Sequence, residues 1–193
     1  MTAIKDRLKS LAGNCLSIYG VNKLNGEKFY QFYHRNHDLS SIIFRIANPY
    51  GPRQQMKHSK YGILNWFIRL ALEGKRLTVF GEGTQQRDYI FVDDLTDAML
   101  LGAVSDIKFD IFNLGTGTGL AFKDMATKIA AAAGIDFVEW PKDRYFVETG
   151  DYISDIARIK DRLDWKPLVS IDEGIARTVE YYREHGKMYW DAG

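Results

Sequence analysis

The sequence predicts an α/β fold built from layers of helices and strands, with some parallel strand pairing. Three observations predict it. The hydrophobic period switches repeatedly between helical and extended along the chain. Glycine and proline punctuate the switches. Strands and helices then alternate rather than segregate, which favours crossover connections.

The elements follow in order. Leu24, Phe29, Phe32 and Tyr33 recur at helical spacing and predict a helix from Tyr19 to Tyr33. The run from Leu39 to Asn48 is dense in β-branched and apolar residues and reads as a buried strand. Asn48-Pro-Tyr-Gly-Pro52 stops it. Residues 51–60 form a polar loop, and a helix follows from Ile63 to Leu72, ending at Gly74. Leu77–Phe80 is a short strand closed by Gly81-Glu-Gly83, and Asp88–Val92 is a second extended piece. Asp93 is placed to cap a helix reaching Val104. Phe109–Leu114 is the next strand, Gly115–Gly119 turns the chain, and Lys123–Ala133 is helical. Phe137–Trp140 is a strand candidate, and helices at Ile156–Leu163 and Asp172–His185 complete the pattern.

Bulk properties narrow the function. The chain has 193 residues, 46% of them hydrophobic and 13% aromatic, enough for a real core. With 26 basic and 25 acidic residues the net charge is +1, which offers no electrostatic footprint for nucleic acid. Cys15 is the sole cysteine, so no internal disulfide forms, as suits a reducing compartment. No apolar run approaches the ~20 residues of a membrane-spanning helix. The start, MTAIKDRLKSLAGNC, lacks a signal-peptide core, and a cytoplasmic location is the expectation.

Two motifs carry chemistry. In Tyr19-Gly-Val-Asn-Lys23 the tyrosine and lysine fall on one helix face and can address one ligand together. A phenol with a pKa of about 10 is a poor base at neutral pH. An ammonium beside it favours the phenolate, which can take a hydroxyl proton while hydride leaves the same carbon. This spacing is common by chance, so its context has to support it. The second motif, FDIFNLGTGTG before a helix, has the strand–glycine–helix order of a phosphate-binding loop, with Asp136 or Glu139 downstream. Its glycines are spaced G-x-G-x-G rather than G-x-G-x-x-G, so it reads as a tight strand-to-helix turn.

Five segments in order, YGVNKLNGEKF, FRIANPYGPRQ, TVFGEGTQQRDYIFVDDLTDAM, FNLGTG and DRLDWKP, resemble the C-terminal part of extended short-chain dehydrogenases/reductases. The resemblance is to nucleotide-sugar epimerases and dehydratases, bacterial UDP-hexose 4-epimerase-like proteins in particular. It implies the late strands and helices of a Rossmann-type doubly wound sheet, interleaved over residues 19–193 with a small α/β substrate-binding lobe. Tyr19 then corresponds to the catalytic base. Lys23 corresponds to its partner, which also contacts the nicotinamide ribose of NAD. Asn48 and Arg87 correspond to residues that hold the substrate diphosphate, a task that suits an arginine fork. Arg144 corresponds to a further diphosphate arginine, although DRYFVETGD departs from the family's R-P-G-D form.

Other residues read as structural. Arg45 is expected to be a pairing partner, Tyr89 and Phe91 to be packing residues, and Asp93 and Asp94 to be helix-starting carboxylates. His34, His37, His58 and His185 make no metal set. The aromatics of YREHGKMYW are expected to pack together.

The resemblance also implies parts that residues 1–18, read as an unrelated amphipathic helix, do not supply. These are the glycine-rich cradle for the NAD pyrophosphate and a catalytic serine or threonine before Tyr19. NAD binding by this chain alone is therefore not expected, nor is activity in isolation. A sheet lacking its early strands leaves apolar area uncovered. At about 25 cal/mol per Å2, several hundred Å2 weighs heavily against a total stability of about 5–15 kcal/mol. An oligomer, a rearranged N-terminus or a partner such as a separate N-terminal half would cover it. Because the resemblance implies that the Tyr19 helix often forms the dimer interface, a homodimer is the first expectation. Three functions are open: part of a UDP-sugar 4-epimerase or relative, a non-catalytic nucleotide-sugar module, or half of a split enzyme.

Overall fold

The computed structural model describes residues 18–60, 62–130, 133–141 and 150–190. The expected helix at the start and Arg144 lie outside the described residues.

Helix α1 (Ile18–His37) leads into strand β1 (Ser41–Ile46). It runs a turn longer than the apolar pattern predicts, because Asn36 bonds back to Phe32 O (2.9 Å) and His34 reaches Leu39 O (3.0 Å). None of its residues is buried, and Tyr19 is 71% and Phe29 66% exposed. β1 pairs in parallel with β6 (Phe109–Leu114), Ser41 opposite Phe109 and Ile46 opposite Leu114. No described strand pairs its other edge, so β1 is only half-buried rather than the buried strand expected, and Ile46 is 40% exposed.

The chain changes partner directly after β1. Ala47 N–H still donates to Leu114 O (2.8 Å), but Asn48 N–H turns to Asp88 O (3.0 Å). Asn48–Tyr50 then forms a short strand, β2, parallel to β5 (Tyr89–Phe91). The expected stop at Asn48 is thus a partner switch. Pro49 is tolerated because β2 has one described ladder neighbour and needs no donor on the other side. β1–β6 and β2–β5 therefore diverge at residues 46–48.

Helix α2 (Ile63–Leu72) and β3 (Leu77–Phe80) follow as predicted. β4 (Gln86–Arg87) leads into β5, and α3 (Val92–Val104) starts one residue before its expected cap. Phe91 is its N-cap, and Asp93 and Asp94 occupy the first turn, where carboxylates favour the helix dipole. After β6 come β7 (Leu120–Ala121), antiparallel to β4, and α4 (Phe122–Ala130). β8 (Ile135–Val138) sits two residues ahead of its predicted position, because its register is set by parallel pairing with β3 from Leu77↔Ile135 onward. Helices α5 (Ala157–Leu163), α6 (Ile171–His185) and α7 (Lys187–Trp190) complete the described elements.

Two apolar clusters hold these layers. One gathers Leu64, Phe67 and Ile68 of α2, Leu77 and Val79 of β3, Met125 and Ile129 of α4, and Tyr182 of α6. The other packs Phe112 and Leu114 of β6 against Ile90, Ala98, Ile159 and Trp165. The terminal aromatics do pack together, with Tyr181, Tyr182 and Tyr189 in edge contacts.

Tyr182 donates to Gln54 O at 2.7 Å, and burial pushes its pKa up to about 12. Burial raises Tyr50 and Tyr89 in the same direction. A raised tyrosine pKa means that the folded state holds its proton more tightly than the unfolded chain. The stability this gives is whole below the ordinary value of about 10 and is lost as pH climbs towards the folded value. The melting temperature should therefore fall between about pH 10 and 12, and fall less steeply in Tyr182→Phe. The same slope in both proteins would contradict the assignment.

Candidate functional site

Helix α1 sets Tyr19 and Lys23 one turn apart on one face. Lys23 Nζ lies 5.4 Å from the centre of the Tyr19 ring, a cation–π distance. Both line a cavity of about 840 Å3 between α1 and β1, which Asn22, Glu27 and Tyr30 share on the helix side and residues 40–46 on the strand side. One turn beyond Lys23, Glu27 accepts two hydrogen bonds from Arg45, at 2.7 and 2.6 Å. This fork-to-fork pair ties the helix to the strand, and Glu27 raises the Arg45 pKa chiefly through it. Arg45 is thus the pairing partner it was expected to be.

Asn48 and Arg87 are not in that cavity's lining. Asn48 follows Ile46 by two residues, about 7 Å of extended chain. Its N–H is held by Asp88 O, so it sits beside the residue that follows Arg87. Arg87 Nη1 donates to Gln86 O (2.9 Å) and Gly150 O (2.6 Å), and Arg87 bridges in parallel to Tyr152. The structure therefore forms two groups, Tyr19 and Lys23 in the α1–β1 cavity, and Asn48 on β2 beside the Arg87–Asp88 segment, outside that cavity's lining.

The glycine turn already holds an anion of the protein's own. Asp88 is fully buried, and its Oδ1 accepts from Thr116 N (2.8 Å) and Thr116 Oγ1 (2.6 Å). Its Oδ2 accepts from Gly117 N and Ser154 N, both at 3.1 Å. A Cβ on Gly115 would lie 2.3 Å from Oδ2, so glycine is needed there for close approach. The amides that a dinucleotide phosphate would need are thus turned onto a carboxylate. Asp136 is likewise occupied. Arg76 pairs with it at 2.7 Å and, through that hydrogen bond, holds its carboxyl below the usual range.

Asp88 is the site residue that the sequence reading missed. The one signal was an acid directly before YIF, a run buried at all three positions, where a charge needs donors nearby. Tyr89 and Phe91 are buried packing residues, as expected. Asp94 does more than start a helix, since it accepts from Leu168 N (2.9 Å) and Val169 N (3.1 Å). Asp93 pairs with Arg177. Among the described residues no group of three or more His, Cys, Asp or Glu could hold a metal ion, and no helix is long and apolar enough to cross a membrane.

The profile of the NAD dependent epimerase/dehydratase family matches residues 4–115, more than half of the chain. The chain belongs to that family. UDP-glucose 4-epimerase of Mycolicibacterium smegmatis is 36% identical over 174 residues, which is 88% of this chain and 54% of that protein. The structure of UDP-glucose 4-epimerase with UDP-glucose from Thermotoga maritima superposes with a TM-score of 0.79 at 32% identity, covering 86% of this chain and 53% of that one. The structure of UDP-glucuronic acid 4-epimerase from Bacillus cereus, in complex with UDP-glucuronic acid and NAD, gives 0.74 at 28% identity, covering 88% and 54%. This member of the epimerase/dehydratase family thus spans about half the length of the curated relatives it matches. The described strands pair in parallel in β1–β6, β2–β5 and β3–β8, in keeping with the Rossmann-type fold of this family.

Proposed function

We propose that this chain is the C-terminal portion of a nucleotide-sugar 4-epimerase, carrying its proton-transfer pair and its grip on the substrate diphosphate. The observation that supports this reading is that Tyr19 and Lys23 line one α1–β1 cavity, while Asn48, two residues past the end of β1, hydrogen-bonds Asp88 next to Arg87. Tyr19 takes the hydroxyl proton at the sugar carbon being oxidised and returns it on reduction. Lys23, with its Nζ 5.4 Å from the centre of the Tyr19 ring, is its partner in addressing the ligand. Arg87, Asn48 and Arg144 bind the diphosphate and fix the sugar against Tyr19. NAD, when bound, supplies the hydride acceptor. Tyr19 and Lys23 suit its nicotinamide side, whereas the Gly115–Gly119 amides, occupied by Asp88, do not suit its pyrophosphate.

That β1 has a ladder neighbour on one edge only among the described residues favours a second form of the same reading, a chain completed by a separate N-terminal half that adds the next strand.

Calorimetric titration with UDP tests the diphosphate grip. A hydrogen bond to a charged group contributes about 1.5–3 kcal/mol, so Arg87→Ala should weaken UDP binding about 10- to 100-fold. Equal affinity of Arg87→Ala and the wild type would refute this role for Arg87. NAD binding by the isolated chain at comparable affinity would refute the claim that its pyrophosphate site lies elsewhere.

A further inference from the structure

The buried side chain of Asp88 takes no part in the proposed proton transfer, yet both described residues of the proposed grip, Asn48 and Arg87, adjoin this residue. Its backbone carbonyl holds Asn48 N–H, and its chain neighbour is Arg87. Its Oδ2 holds Ser154 N, at one end of a segment stitched residue by residue to β4. In that segment Gly150 O accepts from Arg87 Nη1, Asp151 Oδ1 from Gln86 N (2.8 Å), and Tyr152 N donates to Gln86 O (3.0 Å). The carboxylate is thus the fixed point between β4, the Gly115 turn and residues 150–154.

From this geometry we infer that Asp88 is a positioning residue for the diphosphate site: it sets the Arg87 guanidinium by holding residues 150–154 and the Gly115 turn against β4. The inference rests on the reading of Arg87 given above. Its chemistry is specific to a carboxylate. Each oxygen faces backbone N–H groups, Oδ1 that of Thr116 and Oδ2 those of Gly117 and Ser154. An asparagine of the same shape must turn its NH2 towards one of these sets, donor against donor. It then loses either the Thr116 amide or both of the others. The loop or the 150–154 segment moves, and Gly150 O, which receives Arg87, moves with it.

The test is a double-mutant cycle on UDP affinity in the full chain, by calorimetry at a temperature where circular dichroism shows each variant folded. Asp88→Asn should weaken UDP binding about tenfold, the loss expected when one charge-assisted contact is misplaced. If Asp88 acts through Arg87, Asp88→Asn with Arg87→Ala should bind no more weakly than Arg87→Ala alone. A purely structural Asp88 would lower the melting temperature and leave UDP affinity unchanged, and that result overturns the inference. So does a double variant in which the two losses multiply. Thr116→Val serves if Asp88→Asn does not fold, since it keeps the carboxylate and removes only the hydroxyl donor. It should cost a few-fold in the wild type and nothing beside Arg87→Ala, and an equal loss in both backgrounds overturns the inference. Absence of UDP binding by the wild type refutes the diphosphate reading itself, and this inference with it. Binding by the wild type with additive losses refutes only the inference.

Discussion

Gly115→Ala should cost about 3 kcal/mol or more, lowering the melting temperature by about 10 °C. The new Cβ would sit 2.3 Å from Asp88 Oδ2, 2.6 Å from Ser154 Oγ and 2.9 Å from Asp88 Cγ. Real contacts are not that short, so something must move. Asp88 has no inexpensive way to do so, because it is fully buried and holds four hydrogen bonds. Overpacking alone costs about 1–3 kcal/mol. Each buried N–H left without its acceptor adds about 1–3 kcal/mol. Against a total of about 5–15 kcal/mol this is one of the largest effects a single methyl can have. Thermal melts followed by circular dichroism measure it. A shift of less than about 3 °C would show that the carboxylate is held less tightly than the distances imply.

Local periodicity made most of the fold legible. The helices at Ile63–Leu72 and Asp172–His185 were readable because their apolar residues recur on one face, and both lie within a residue of their predicted bounds. Tyr19 and Lys23 were readable as a pair because helical spacing alone brings them together. The misplaced features depend on partners far away in sequence. β2 was read as a stop because two prolines and a glycine punctuate residues 48–52, and only the ladder to Tyr89–Phe91 shows that the chain stays extended there. β8 was offset because the strand candidate was placed at Phe137–Trp140 by local pattern, whereas pairing with β3 sets the register from Ile135. Asp88 was opaque for the same reason. Its donors come from Thr116, Gly117 and Ser154, 28, 29 and 66 residues on, so no local window contains them. The glycine turn could be weighed by its spacing, but what fills it could not.

Tyr19→Phe should abolish catalysis while leaving UDP binding intact. The phenylalanine keeps the ring that lines the α1–β1 cavity and removes only the hydroxyl proposed to exchange the proton. Loss of a general base typically costs about 100- to 10,000-fold in rate. Arg87 and Asn48 lie outside that cavity's lining, so the diphosphate grip should not register the change. Arg87→Ala should show the converse, with weakened binding at an intact proton-transfer pair. The separation of the two effects follows from the two groups, Tyr19 and Lys23 on α1 and Asn48 and Arg87 on β2 and β4.

The most direct measurement adds the N-terminal half of a related 4-epimerase, with NAD, to this chain and assays interconversion of UDP-glucose and UDP-galactose. Restored turnover with the wild type, and a loss of at least about 100-fold with Tyr19→Phe at unchanged UDP affinity, is the predicted result. Turnover that survives unaltered in Tyr19→Phe would place the reacting proton on some other group and contradict the account.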